Sequence, residues 1–202
     1  MKTWKQRFNS YVIFVIPSQL LLMDLLEELI KQSSVMSQFN ESSLNTVRTT
    51  LVRTKNGIEL LFGFIRCGRK GQCVDNGGAG GIIIPYNPNN GYLSKVGFDE
   101  VGVFYNEHPD SGVKFEGFQI PCFNEIIKLS FELAQQLPNY NYYGWDIAIT
   151  DNGLILVEGN SRPQLIGLQG IHVEGFKQEI YTILHERVVP DSLRKKQMKL
   201  FC

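Results

Sequence analysis

Apolar and polar positions alternate most clearly over residues 142–160, "YYGWDIAITDNGLILVEGN". Alternation of this kind marks half-buried strands. Asp151-Asn152-Gly153 interrupts it as a hairpin turn, with Gly153 suited to the left-handed position of a three-residue loop. With the loop at 151–153, Thr150 faces Leu154 and, counting outward, Asp146 faces Glu158. Asn160 falls on the same face, while Ile147, Ile149, Ile155 and Val157 make the opposite, core face. A second hairpin is predicted within "ESSLNTVRTTLVRTKNGIELLFGFIRCGR", turning at Asn56-Gly57. "YVIFVI" (11–16) reads as a buried strand. Phe123, Ile126, Ile127, Phe131, Ala134 and Leu137 recur at helical spacing, which predicts an amphipathic helix over 122–137. Residues 20–31 (LLLMDLLEELIK) look helical by propensity, and a last helix is expected near 175–187. Glycines 77, 78, 80 and 81 make a loop leading into a short strand, and residues 85–118 are largely irregular. Strands and helices mix without strict alternation, so the expected class is α+β.

Composition narrows the setting. The chain has 202 residues, 43% of them apolar, enough for one domain with a real core. Twenty basic residues balance twenty acidic ones, which argues against nucleic acid or an anionic membrane as a partner. Only the tail "RVVPDSLRKKQMKLFC" is locally basic, and it reads as solvated charge. The N-terminal apolar run superficially resembles a signal sequence, but Pro17, Ser18, Gln19 and Asp24 interrupt it and no small-residue cleavage site follows. No run reaches the ~20 residues needed to span a bilayer, so a cytoplasmic protein without a membrane span is expected. Cys67 and Cys73 form C-x5-C, which fits neither a zinc site nor a redox pair. His108, His172 and His185 show no ligand spacing and read as structural.

The candidate chemistry lies on the polar face of the first hairpin. Two opposed carboxylates repel unless something compensates them. A divalent cation does so, and carboxylate plus amide oxygens suit Mg²⁺ or Mn²⁺ rather than zinc. A register differing by one residue gives the other reading, a solvated face on which Asp146 and Glu158 never meet. A phosphate partner needs cations and free backbone donors. Arg48 and Arg66 on the second hairpin, and the loop 77–81, supply them. The glycine loop is neither a P-loop nor a dinucleotide fingerprint.

These residues also carry a family resemblance. "GWDIAITDNGLILVEGNSRP" looks like the closing hairpin of ATP-grasp ligases. With "SLNTVR" (43–48), "VDNGGAGGI" (74–82) and "HPDSGV" (108–113), the closer resemblance is to the sugar-transfer-associated ATP-grasp family, related to alpha-L-glutamate ligases. It covers residues 24–170. It implies ATP and Mg²⁺ as cofactors, with Asp146, Glu158 and Asn160 as metal ligands. Arg48 then contacts phosphate or the acyl intermediate, and Arg66 steadies the phosphoryl group or a substrate carboxylate. Asn76, Gly80 and Gly81 fall in the loop over the triphosphate. "LLEELI" (25–30), with Glu27, Glu28 and Leu29, resembles the linker strand that reads adenine, against its helical propensity. Arg162 stands where a substrate contact is expected. The implied activity is ATP-dependent ligation of a carboxylate to an amine or thiol through an acyl phosphate, on small or sugar-linked substrates. The rival reading is a non-catalytic nucleotide- or sugar-binding module. The family's first nucleotide-clamping subdomain has no counterpart in residues 1–23. The resemblance therefore implies the C-terminal ATP-grasp subdomain over 24–190, an antiparallel sheet with flanking helices, between an N-terminal remnant (1–23) and a basic tail (191–202). Either the chain is the C-terminal piece of a longer ligase, or a partner chain or second copy supplies the missing half, or catalysis has been lost.

Overall fold

The computed structural model describes residues 5–8, 11–14, 30–72, 80–161 and 163. In chain order its elements are β1 (Lys5–Phe8), β2 (Tyr11–Phe14), α1 (Ser34–Ser37), β3 (Thr46–Thr54), β4 (Gly57–Cys67), β5 (Ile82–Pro85), β6 (Gly97–Phe98), β7 (Phe104–Tyr105), α2 (Phe123–Gln135), β8 (Tyr142–Thr150) and β9 (Gly153–Asn160). The strands form one nine-stranded sheet in the order β1-β2-β9-β8-β3-β4-β5-β6-β7. All neighbours pair antiparallel except β2 and β9, which run parallel. The α+β reading and the mostly antiparallel sheet therefore hold, and helices are few. Among the described residues no helix is long and apolar enough to cross a membrane. The helices expected at 20–31 and 175–187 and the basic tail lie outside the described residues.

Each face of the sheet has its own composition, because side chains alternate along a strand. Val47 and Leu51 of β3, Tyr143, Trp145, Ile147 and Ile149 of β8, and Ile65 of β4 point one way, into the main core. There α2 lays down Phe123, Ile126, Leu129 and Ala134, the stripe expected of a 3.6-residue period. The helix ends short of the predicted Leu137, which is exposed and precedes Pro138. A polar stitch joins the layers: Ser130 Oγ donates to the Ile126 carbonyl at 2.8 Å, and Thr49 Oγ1 lies 2.8 Å from that same Oγ. The other face carries Thr46, Arg48, Thr50 and Val52 of β3, and it is here that the charged residues gather.

Both predicted hairpins form, the one at 151–153 with a tighter loop than expected and the other with its turn one residue earlier than Asn56-Gly57. Thr54 pairs with Gly57 and Thr150 with Gly153, so each loop holds two residues, Lys55-Asn56 and Asp151-Asn152. The three-residue loop at 151–153 is thus corrected. Thr150 does not face Leu154, and Leu154 and Leu156, not Ile155 and Val157, enter the core. A bulge between Asp146 and Ile147 then absorbs one extra residue on β9 and brings Asp146 opposite Glu158. Bulges of this kind re-aim side chains. Without it a two-residue loop would set Asp146 against Val157 and turn Glu158 toward the core side.

Candidate functional site

The site begins with the register of β3 against β8, which aligns Arg48 with Asp146. Since β9 aligns Glu158 with Asp146 and β4 aligns Phe64 with Arg48, one row across four strands reads Glu158, Asp146, Arg48, Phe64. The next row reads Asn160, Gly144, Thr50, Phe62. Arg66 sits opposite Thr46 on the same face. Asp146, Glu158, Asn160, Arg48 and Arg66 therefore share one side of the sheet, away from α2.

Asp146 is 2% exposed and Arg48 7%. The Arg48 guanidinium grips the carboxylate with two parallel bonds, Nε to Oδ1 and Nη2 to Oδ2. Arg66 Nη1 reaches Oδ2 at 3.4 Å. This fork-to-fork geometry is the one arginine offers and lysine cannot. The Arg48 guanidinium also lies over the Phe64 ring, 5.9 Å from its centre. The Tyr86 hydroxyl donates to the Arg48 carbonyl at 3.3 Å. A pair so enclosed has lost most of its hydration, and only close geometry repays that loss.

Glu158 is exposed and Asn160 half-buried. A side chain at Gly144 would be blocked. An added Cβ would come within 2.7 Å of Pro163 Cβ and 3.5 Å of Arg48 Cδ. The absence of a side chain there lets Pro163 pack against the polar face. An ionised carboxylate offers about four lone pairs. Arg48 and Arg66 take three of those on Asp146, leaving one on Oδ1. With oxygens from Glu158 and Asn160, that set fits a hard cation that completes its shell with water and phosphate. Among the described residues no group of three or more His, Cys, Asp or Glu could hold a metal, so any cation here depends on the Asn160 amide and on its own waters.

Gly80 and Gly81 lead directly into β5, whose Ile83 pairs with Arg66, so they approach the Arg66 end of the face. Glu27, Glu28, Leu29, Asn76 and Arg162 lie outside the described residues, as do Cys73, His172 and His185.

Sequence reasoning singled out "HPDSGV" without giving its residues work. His108 is fully buried. Its Nδ1 accepts from the Asp110 N–H at 3.4 Å, so Nε2 carries the proton and donates to the Gly68 carbonyl at 3.0 Å. Burial pushes its pKa below the ordinary value, partly offset by the Gly68 carbonyl. Asp110 accepts from Arg69 Nε at 2.7 Å, Arg69 Nη2 at 3.0 Å and the Lys70 N–H at 2.9 Å. The Arg69 bonds hold its carboxyl at about 2. This clip fixes the chain just after β4, two to four residues past Arg66. Thr50, Phe64 and Tyr142 were also missed. Their one signal was sharing strand parity with Arg48 or Arg66 or Asp146.

The family model for sugar-transfer associated ATP-grasp proteins matches residues 19–184. No curated protein and no solved structure matches the chain.

Proposed function

For this chain, which belongs to the sugar-transfer associated ATP-grasp family, we propose ATP-dependent joining of a carboxylate to an amine, or to a thiol, through an acyl phosphate. Family membership supplies ATP-dependent ligase-type chemistry. The finer reading, a role in polysaccharide or cell-envelope synthesis, draws on the sugar transfer in the family description, and a cytoplasmic setting draws on the sequence pattern alone. The observation that carries the site assignment is the row Glu158, Asp146, Arg48 on one face, with Arg66 3.4 Å from the shared carboxylate.

The substrate carboxylate oxygen attacks the γ-phosphorus of ATP, the bond to the bridging oxygen breaks and ADP leaves. The amine nitrogen then attacks the acyl carbon, the C–O bond to phosphate breaks, and the nitrogen loses a proton. Protein groups in such transfers mainly position and neutralise. Asp146, Glu158 and Asn160 would hold Mg²⁺, which when bound supplies charge neutralisation at the phosphates. Asp146 keeps the Arg48 and Arg66 guanidinium groups aimed at the same place, so the cationic side needs no reorganisation as charge develops. Gly80 and Gly81, free of side chains, allow backbone N–H groups close approach to the phosphates.

Calorimetry with a non-hydrolysable ATP analogue tests the assignment. The parent should bind it with a strong dependence on Mg²⁺, and the Glu158→Ala plus Asn160→Ala variant should lose that dependence. Equal, Mg²⁺-dependent affinity in both would overturn it.

A further inference from the structure

Two hydroxyls on the polar face have nothing to bond. Thr50 is 0% exposed and its Oγ1 has no partner among the described residues; the buried Oη of Tyr142 has none either. Both lie on the Arg48–Asp146 face of the sheet, Thr50 opposite Gly144 and Tyr142 opposite Val52. Native proteins leave few buried polar atoms unbonded, because each forfeits its hydration without return. Hydroxyls elsewhere in the same strands are used: Thr54 and Thr150 donate to the carbonyls of Gly57 and Gly153, and Thr49 meets Ser130. Trp145 Nε1 on the core face is also without a partner among the described residues, but the two unbonded hydroxyls both belong to the polar face.

The chemistry of the pair narrows what fits it. Burial pushes the Tyr142 phenol well above its ordinary pKa, and the charge of Arg48 offsets this only in part. Tyr142 therefore stays a neutral O–H, as Thr50 always is. A hydroxyl both donates and accepts, and its best match is another hydroxyl, since an anion uses only the donor. Phe62, directly opposite Thr50 and stacked on Phe64 with ring centres 6.2 Å apart, puts an aromatic ring beside Thr50. Hydroxyls next to an aromatic plane suit a sugar ring, which has polar edges and C–H faces.

We infer that Thr50 and Tyr142 form a subsite for the hydroxyl groups of a sugar ring, beside the Arg48–Asp146 pair. The inference rests on the ligase reading only for what is done with the sugar. Two sources share this chemistry, the ribose of the nucleotide and a sugar carried by the second substrate.

Thr50→Val and Tyr142→Phe each remove one hydroxyl and keep the shape. Because neither hydroxyl has a partner among the described residues, both variants should melt at or above the temperature of the parent. A clear fall in either would mean a structural role and would overturn the inference. Binding is read by calorimetry with Mg-ATP, Mg-2′-deoxy-ATP and Mg-3′-deoxy-ATP. Glucose, galactose, N-acetylglucosamine and glucuronate are tested separately at millimolar concentration. Each variant should weaken at least one hydroxyl-dependent ligand by about tenfold. Loss of the parent's preference for ATP over a deoxy analogue identifies the ribose. Weakened monosaccharide binding with ATP affinity unchanged identifies the substrate sugar. A parent that binds a monosaccharide but no ATP retires the ligase reading and leaves the subsite standing. Unchanged binding of every probe in both variants, or no hydroxyl-dependent binding by the parent, overturns the inference.

Discussion

Asp146 shows how much one side chain can be asked to do. Buried, gripped by Arg48 and touched by Arg66, it is stable only as a member of its group. Removing one partner of a buried pair costs far more than replacing both. Arg48→Met and Asp146→Leu should each destabilise the protein by about 3–5 kcal/mol, and the double variant should regain much of that loss. Urea unfolding measures all three, and additive losses would contradict the pairing. The opposition of Asp146 to Glu158 was expected from a three-residue loop, and it holds because the bulge makes up the residue that the shorter loop leaves out. The Arg48 contact was not legible in the sequence, because its partners stand 98 residues apart and only the pairing of β3 with β8 joins them.

The two hairpins are built alike. Each turn reads Thr-x-Asn-Gly, with the Thr hydroxyl donating to the Gly carbonyl and accepting from the Asn N–H. In each, four residue pairs separate the turn from a bulge, at Thr50/Leu51 in one and Asp146/Ile147 in the other. Gly57 and Gly153 have φ of 131° and 121°, which other residues rarely adopt. Gly57→Ala and Gly153→Ala should therefore cost similar amounts, about 1–2 kcal/mol each, by thermal or urea melts. Widely different costs would show that the likeness is superficial. Turn positions were readable from Asn-Gly, but loop lengths were not. A three-residue loop without a bulge and a two-residue loop with one both place Asp146 against Glu158. They differ at residues 154–157, and Leu-Ile-Leu-Val has no alternation with which to choose.

Across the whole molecule, the site lies on one side of the central strands and the main core with α2 on the other, so the fold's stability and the site's charges are largely separable. Strand order was hidden from the sequence because pairings such as β3 with β8 and β2 with β9 join distant segments. Stability should fall in two steps on acidification. His108 has a lowered folded pKa, so its contribution is whole above about 6.5, the unfolded value, and is lost as pH falls toward the folded one. Asp110, held at about 2 by Arg69, contributes fully above the ordinary carboxylate value and loses that as pH falls through the folded one. The Asp110 step is small, under about 1 kcal/mol, because the pair is partly solvated. Melting temperatures across the pH range should show the upper step flattened in His108→Gln and the lower in Asp110→Asn. Unchanged profiles would remove both groups from the account.

The shared turn also sets how the protein ages. Asn56 and Asn152 are exposed, and each precedes a glycine, which has no side chain of its own to hinder attack by its amide nitrogen. Asparagine is among the chemically labile residues, and an Asn-Gly step closes most readily to a succinimide, which reopens largely as isoaspartate. That product lengthens the backbone by one carbon at the place where loop length decides which residues face the core. Old preparations should thus accumulate damage at two matched points, and the one at Asn152 bears on the strand that carries Glu158 and Asn160.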